Sequence, residues 1–239
     1  MAFMKPEMAE APDEGDDALL GRREAGKTER RQRIIHAARD LIRETGNAGL
    51  SMRTLAARAG VSLATPYNLF GSKRAIVLAL LGDVREFHDR FSHLRASDPL
   101  ERIFLAVDIQ IEIYLADPAL YKTMWAAVFD VSDDLRATLW NDKRDSFWRR
   151  LIAEAVEAGA IRPEINQEWL QRQLDHLFRC IMLDWVVGIL GPEAVGPAAH
   201  HGYALVLKGA CTTEWGGPLS ARILMSQQRL EKVQETAMR

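Results

Sequence analysis

Only two cysteines occur in the 239 residues, Cys180 and Cys211. That is too few for a disulfide framework, and their spacing matches no zinc pattern. No apolar run approaches the ~20 residues that a membrane-spanning helix needs; stretches such as Trp185 to Leu190 are far shorter. The first residues carry no apolar run behind their charges, so we expect no signal peptide and a reducing, cytoplasmic setting. Strand-type alternation is missing, and so is any internal repeat. There is no Gly-rich phosphate loop, no nucleophile elbow and no metal-ligand cluster. The expectation is a soluble protein with no cofactor, no metal and no catalytic residues.

Charge of one sign is also scarce overall, since the net is only −2. Its distribution is uneven, however. Residues 1–20 carry one basic and six acidic side chains, a net of −5. Residues 21–74 carry twelve basic and four acidic, a net of +8, and the remainder returns to −5. A small basic module joined to a larger acidic one points to a polyanion partner at one end only.

What is present is helical periodicity. Residues 1–21, with Pro6, Pro12, Gly15, Gly21 and the acidic cluster, read as a disordered tail. Periodicity begins near Lys27, with Ile34, Ala37, Ala38, Leu41 and Ile42 along one face and Gly46 as the stop. Ser51 caps a short helix through Ala59. A longer helix is expected from Lys73 to about Leu94, another from near Leu100 to Pro118. Further helices are expected over roughly 119–130, 133–159, 166–190, 197–215 and 218–236. The fold class is all-α. The division is a tail over 1–21, a small basic domain over 22–74 and a larger helical domain over 75–239.

The chemistry lies in residues 58–73, RAGVSLATPYNLFGSK. Ala56, Gly60 and Val61 have helix-turn-helix spacing: a small residue where two helices meet, a glycine turn, then an apolar anchor. On the second helix Pro66 and Phe70 face inward, while Ala64, Thr65 and Asn68 share a short, small, polar outer face suited to the major groove. Proline inside so short a helix is tolerable in either of two registers. With Ser62 as the cap, Pro66 is the fourth helical residue; with Thr65 as the cap, it is the first.

With those residues in hand, the segment from about 28 to 80, carrying LAARAGVS…TPYNLFGSK, resembles the DNA-binding domain of TetR-family transcriptional regulators. The match runs through Ala56, Gly60, Val61, Ser62, Thr65, Tyr67, Phe70 and Lys73, about a quarter of the chain. It departs at Ala64, often glycine, and at Leu69, often a histidine that touches phosphate. The resemblance implies a dimeric regulator that binds double-stranded operator DNA. Carried over, Thr65, Tyr67 and Asn68 meet bases or phosphates, beside Ala64 on the same face. Lys73 meets a phosphate with its charge and its helix N-terminus. Ser51 and Arg53 are secondary DNA contacts. Tyr67 packing beneath the domain, and Arg53 as a solvated charge, are the bland alternatives.

The larger domain resembles the family only in length and helical content. Residues 100–116 are apolar on more than one side, which suggests a central helix. All six tryptophans follow residue 120. Ile109, Ile113, Trp125, Phe129, Phe147, Phe178, Met182 and Trp185 are the candidate lining of an apolar effector cavity, with Asp108, Glu112 or Tyr114 to orient the ligand. Plain core packing is the alternative for each. Small residues Ala198, Gly202, Val206, Gly209 and Ala210 suit close helix packing. By the resemblance, helices 166–190 and 197–215 form the homodimer interface; intrachain packing is the rival reading.

Three other readings stand beside a ligand-released repressor. One is a regulator that answers to a protein partner, and another a constitutive binder. The third is an all-α enzyme, for which His176 and Cys180 are the best pair; as two ligands without partners they fit a packed core pair better. His200 and His201 point to different sides of their helix.

Overall fold

The computed structural model describes residues 14–45, 50–81, 85–94, 96–129 and 142–237. Within them are eleven α-helices and no strand. They are α1 (Glu14–Thr45), α2 (Met52–Ala59), α3 (Ala64–Phe70), α4 (Lys73–Leu81), α5 (Arg85–Ser92) and α6 (Pro99–Ala116), then α7 (Pro118–Phe129), α8 (Asp142–Glu157), α9 (Gln167–Val186), α10 (Pro192–Ala210) and α11 (Gly216–Ala237).

Where sequence and structure differ, the reasons are local. Helix α1 begins at Glu14, so residues 14–21 are helical rather than disordered; Ala18, Leu19 and Leu20 are strong helix formers, and the last proline before them is Pro12. Residues 1–13 lie outside the described part. So do residues 82–84, and the single helix expected from Lys73 to Leu94 is described as α4 and α5 on either side of them. The expected helical stretch 133–141 lies outside as well. Helix α10 starts at Pro192, earlier than expected, and carries Pro197 within its second turn. Asp98 caps α6 as its carboxylate accepts from the Leu100 and Glu101 amides, with Pro99 in the first turn.

Two hydrophobic cores result. The first gathers Ile34, Ala38, Leu41 and Ile42 of α1 with Leu55 of α2 and Ile76, Val77 and Leu80 of α4. It also takes Leu120 and Met124 from α7, both 1 % exposed. The second surrounds α6, whose Ile103, Phe104, Ala106 and Val107 are at most 1 % exposed. Helix α6 is thus the central helix that its two-sided apolar pattern suggests. Its partners include Trp148, Leu151 and Ile152 of α8, Phe178 and Met182 of α9, and Tyr203 and Leu207 of α10. At Gly202 a Cβ would stand 2.5 Å from Leu177 Cδ2, so this glycine serves the intrachain contact between α9 and α10.

Helix α7 belongs to both cores. Leu120 and Met124 face the first, Trp125 and Phe129 the second, and Tyr121 packs against both. The Arg43 guanidinium donates to Asp117 at 2.5 Å, a second tie between α1 and the start of α7. Burial, followed by the nearby Tyr114, pushes the Tyr121 hydroxyl up to about 12. The unfolded chain releases that proton near pH 10, the folded chain only near pH 12, so the unfolded state gains between the two. Chemical denaturation midpoints should therefore fall from pH 10 to pH 12, and Tyr121→Phe should flatten the fall.

Candidate nucleic-acid interface

The turn between α2 and α3 is built as its residue types require. Ser51 Oγ accepts from the Thr54 amide at 3.1 Å while Thr54 Oγ1 accepts from the Ser51 amide at 3.0 Å, a reciprocal capping box. Gly60 ends α2 at φ 64° and ψ 40°, and the Val61 amide returns to Ala56 O at 3.0 Å. That left-handed conformation carries a steric cost for a residue with a Cβ.

Helix α3 starts at Ala64, and Ser62 contributes through its carbonyl, which accepts from the Thr65 amide at 3.0 Å. Its hydroxyl pairs with the Thr65 hydroxyl at 2.9 Å. Pro66 is consequently the third helical residue, inside the first turn, where its missing N–H leaves no intrahelical bond unmade. This lies nearest the reading with Ser62 as the cap. Pro66 is buried, and Phe70 lies beneath the Arg31 guanidinium at 4.2 Å. Arg31 Nη1 also donates to Leu69 O at 3.1 Å, fixing the end of α3 on α1. Leu69, where the family often has histidine, is half-buried against the first core.

Ala64, Tyr67 and Asn68 are exposed together, with Thr65 half-buried at the edge. Tyr67 is 51 % exposed, which disposes of the reading in which it packs beneath the domain. Leu63, which sequence reasoning passed over, is 52 % exposed on the same side. It lies in the turn just before the helix, ahead of the periodicity that buries Pro66. Ser51 and Arg53 are exposed at the start of α2. Arg58, by contrast, is engaged by Glu44 through bonds of 2.9 and 2.7 Å. The pair holds the Glu44 carboxyl below its ordinary range and raises the Arg58 guanidinium. Lys73 opens α4, where Ser72 Oγ accepts the Ala75 amide at 3.1 Å. If Lys73 meets a phosphate, Lys73→Ala should weaken binding on every duplex and reduce the slope of log K against log salt by about one.

The eight residues named for an effector cavity are all in or against the second core. Ile109, Ile113, Trp125, Phe147, Phe178, Met182 and Trp185 are each at most 7 % exposed, with Phe129 packed on them. Trp125 stacks on Phe129 at 5.7 Å and meets Phe178 at 6.0 Å, whereas Phe147 sits in a separate group with Phe87 and Phe91. Trp125 Nε1 is buried without a hydrogen-bond partner. Of the proposed orienting groups, Glu112 is exposed and paired with Arg90, and Tyr114 Oη accepts from Gln110 at 2.8 Å. Asp108 holds His200 Nε2 at 2.6 Å. Arg222 of α11 lies 3.2 Å from His200 Nδ1 and also binds Glu101, so α11 is tied to α6 directly and through the His200 ring. His201 turns the other way, toward Ile223 and Ser226.

Among the described residues, surface cavities lie elsewhere. One of about 340 Å³ lies between α10 and α11, lined by Pro197, His200, Pro218, Arg222, Met225 and Arg229 among others. Another of about 650 Å³ is rimmed by Arg149, Glu168, Arg172, Asp175, His176 and Arg179. His176 and Cys180 are both exposed, so they are not the packed core pair expected, because that side of α9 faces away from α6. No group of three metal-binding side chains occurs among the described residues. No helix among them is long and apolar enough to cross a membrane.

A three-helix head with a glycine-turned helix-turn-helix, a basic surface and an exposed reading face defines a DNA-binding protein. Residues 34–80 match the family model described as bacterial regulatory proteins, tetR family. Among curated proteins, the HTH-type transcriptional repressor KstR of Rhodococcus jostii strain RHA1 is 29 % identical over 173 residues, covering 69 % of this chain and 79 % of its own. The Mycobacterium tuberculosis protein of the same name is 28 % identical over 178 residues, covering 71 % and 78 %. Among solved structures, a TetR transcriptional regulator from Rhodococcus sp. RHA1 superposes with a TM-score of 0.62 at 21 % identity, over 76 % of this chain and 97 % of that one. Residues 34–80 thus carry a tetR-type DNA-binding domain, and most of the chain is similar to transcriptional repressors.

Proposed function

We propose that the protein is a homodimeric repressor that binds a near-palindromic operator and leaves it when a small, largely apolar molecule enters the second domain. The observation that carries the ligand-responsive part is the double membership of α7. One helix places Leu120 and Met124 in the core under the DNA-reading helices and Trp125 and Phe129 among the aromatics of the second core. A shift of α7, together with α4, moves the reading head. An unpaired indole N–H in a buried site costs roughly 1–3 kcal/mol, which a ligand acceptor at Trp125 would recover. Repression is the activity named in both KstR relatives.

Dimerisation through α9 and α10, about residues 166–190 and 197–215, is supported by their exposed Leu183, Val187 and Leu205. Leu224 and Met225 of α11 extend the same apolar character. The DNA contacts are Thr65, Tyr67, Asn68 and Lys73, with Ser51, Arg53 and Ala64 at their margin.

The test begins with a thermal-shift screen of small apolar and aromatic compounds, since a ligand that binds only the folded chain raises its melting point. Any hit should release operator DNA, and saturating operator should weaken the hit by the same factor. A hit whose affinity ignores operator contradicts the mechanism and leaves a constitutive binder or one governed by a protein partner.

A further inference from the structure

We infer that the reading face of α3 is built for A·T base pairs: Leu63, Ala64 and the Tyr67 ring take thymine methyl groups, and Asn68 takes an adenine. The inference rests on α3 being the base-reading helix. Four side chains, Leu63, Ala64, Tyr67 and Asn68, form a two-by-two exposed patch at spacings i, i+1, i+4 and i+5. Three of the four present hydrocarbon. A leucine and a tyrosine about half exposed, one turn apart on the same face, leave apolar surface that only a partner covers.

This face also lacks the side chains that read G·C pairs. Residues 62–70, SLATPYNLF, contain no arginine, lysine, aspartate or glutamate. Guanine presents two acceptors in the major groove, best met by arginine or lysine, and cytosine presents an amino donor best met by a carboxylate. The face carries neither. Of the hydroxyls, those of Ser62 and Thr65 engage each other at 2.9 Å, and Thr65 is half-buried. The basic side chains nearest in sequence sit on neighbouring helices, Arg53 and Arg58 on α2 and Lys73 and Arg74 on α4, and Arg58 is held by Glu44. What is left to read is methyl groups and the adenine N6/N7 edge, the edge an asparagine amide meets with two bonds. The half-site bases beneath α3 are therefore A and T, and any fixed G or C lies outside its reach.

Deoxyuridine tests this because it deletes the thymine methyl and leaves base pairing unchanged. The full chain is used to select its preferred site from a random duplex pool. Each thymine of that site is then replaced singly by deoxyuridine, and affinity is followed by fluorescence anisotropy. At two or more thymines per half-site the parent should lose about three- to fivefold, the scale of one buried methyl. Leu63→Ala, at an exposed position that leaves folding intact, should abolish one of those steps. Asn68→Ala should keep the steps and lose discrimination at an adenine. Sequence-specific binding with every deoxyuridine neutral, or a selected half-site with G or C beneath α3, overturns the inference while sparing the DNA-binding reading. Absence of any preferred site overturns both.

Discussion

Leu120→Ala is expected to destabilise the DNA-binding head by about 2–5 kcal/mol, the usual cost of emptying a fully buried leucine site. The residue lies on α7, far along the chain from α1 and α2, yet it is 1 % exposed inside their core. Its removal leaves a void against the α1 and α4 side chains, and nothing in a close-packed interior fills it cheaply. The signature is regional. Amide hydrogen exchange should accelerate across residues 34–59, with a lower urea midpoint, while the amides of α8 and α10 change less. Ala126→Ser, at an exposed position of the same helix, should change neither. A leucine-to-alanine variant with parental exchange in the head would show that α7 does not support it, and the proposed coupling would lose its basis.

Gly60→Val is expected to be the most damaging change within the motif itself. A Cβ built at Gly60 has room, since the nearest atom is Arg33 Nη1 at 3.8 Å. The obstacle is the backbone, because φ of 64° costs an L-residue about 1–2 kcal/mol. A β-branched side chain fares worse there than any other. The Gly60 amide bonds to Ala57 O at 3.2 Å and the Val61 amide to Ala56 O at 3.0 Å, so relaxing φ undoes the turn that aims α3. Melting temperature and DNA affinity should fall together. Gly60→Asn, which tolerates the left-handed region, should recover most of both. Equal behaviour of the valine and asparagine variants would mean that the turn is not what sets α3.

Much of this architecture could be read in the residues, because the signals were local. The cap at Ser51, the glycine turn and the buried face of α1 each depend on side chains within a few positions of one another. Pro66 matches neither of its two expected registers, because Leu63 and not Ser62 or Thr65 precedes the first helical residue. Non-local facts were illegible. That α7 carries Leu120 and Met124 into the first core depends on how α1, α4 and α7 meet, and periodicity says only that a face is apolar, not which core it joins. Leu63 was missed because it lies in the turn, ahead of the periodicity that buries Pro66. The pairing of Asp108 with His200, 92 residues apart, was illegible for an equally non-local reason. Gly202 shows the converse: a small residue suited to a dimer seam is occupied by Leu177 of its own chain.

The account stands on specific recognition of DNA by a pair of α3 helices. The measurement that tests it most directly is selection of bound duplexes from a random pool, followed by the mass of the complex on the winning site. The account predicts one enriched, near-palindromic sequence whose half-sites lie about one helical turn apart, roughly 34 Å. It predicts two chains on each duplex, and relaxed preference when Asn68 is changed to alanine. A pool that shows no enrichment over its starting composition, or a single chain bound to an asymmetric site with full affinity, would contradict it.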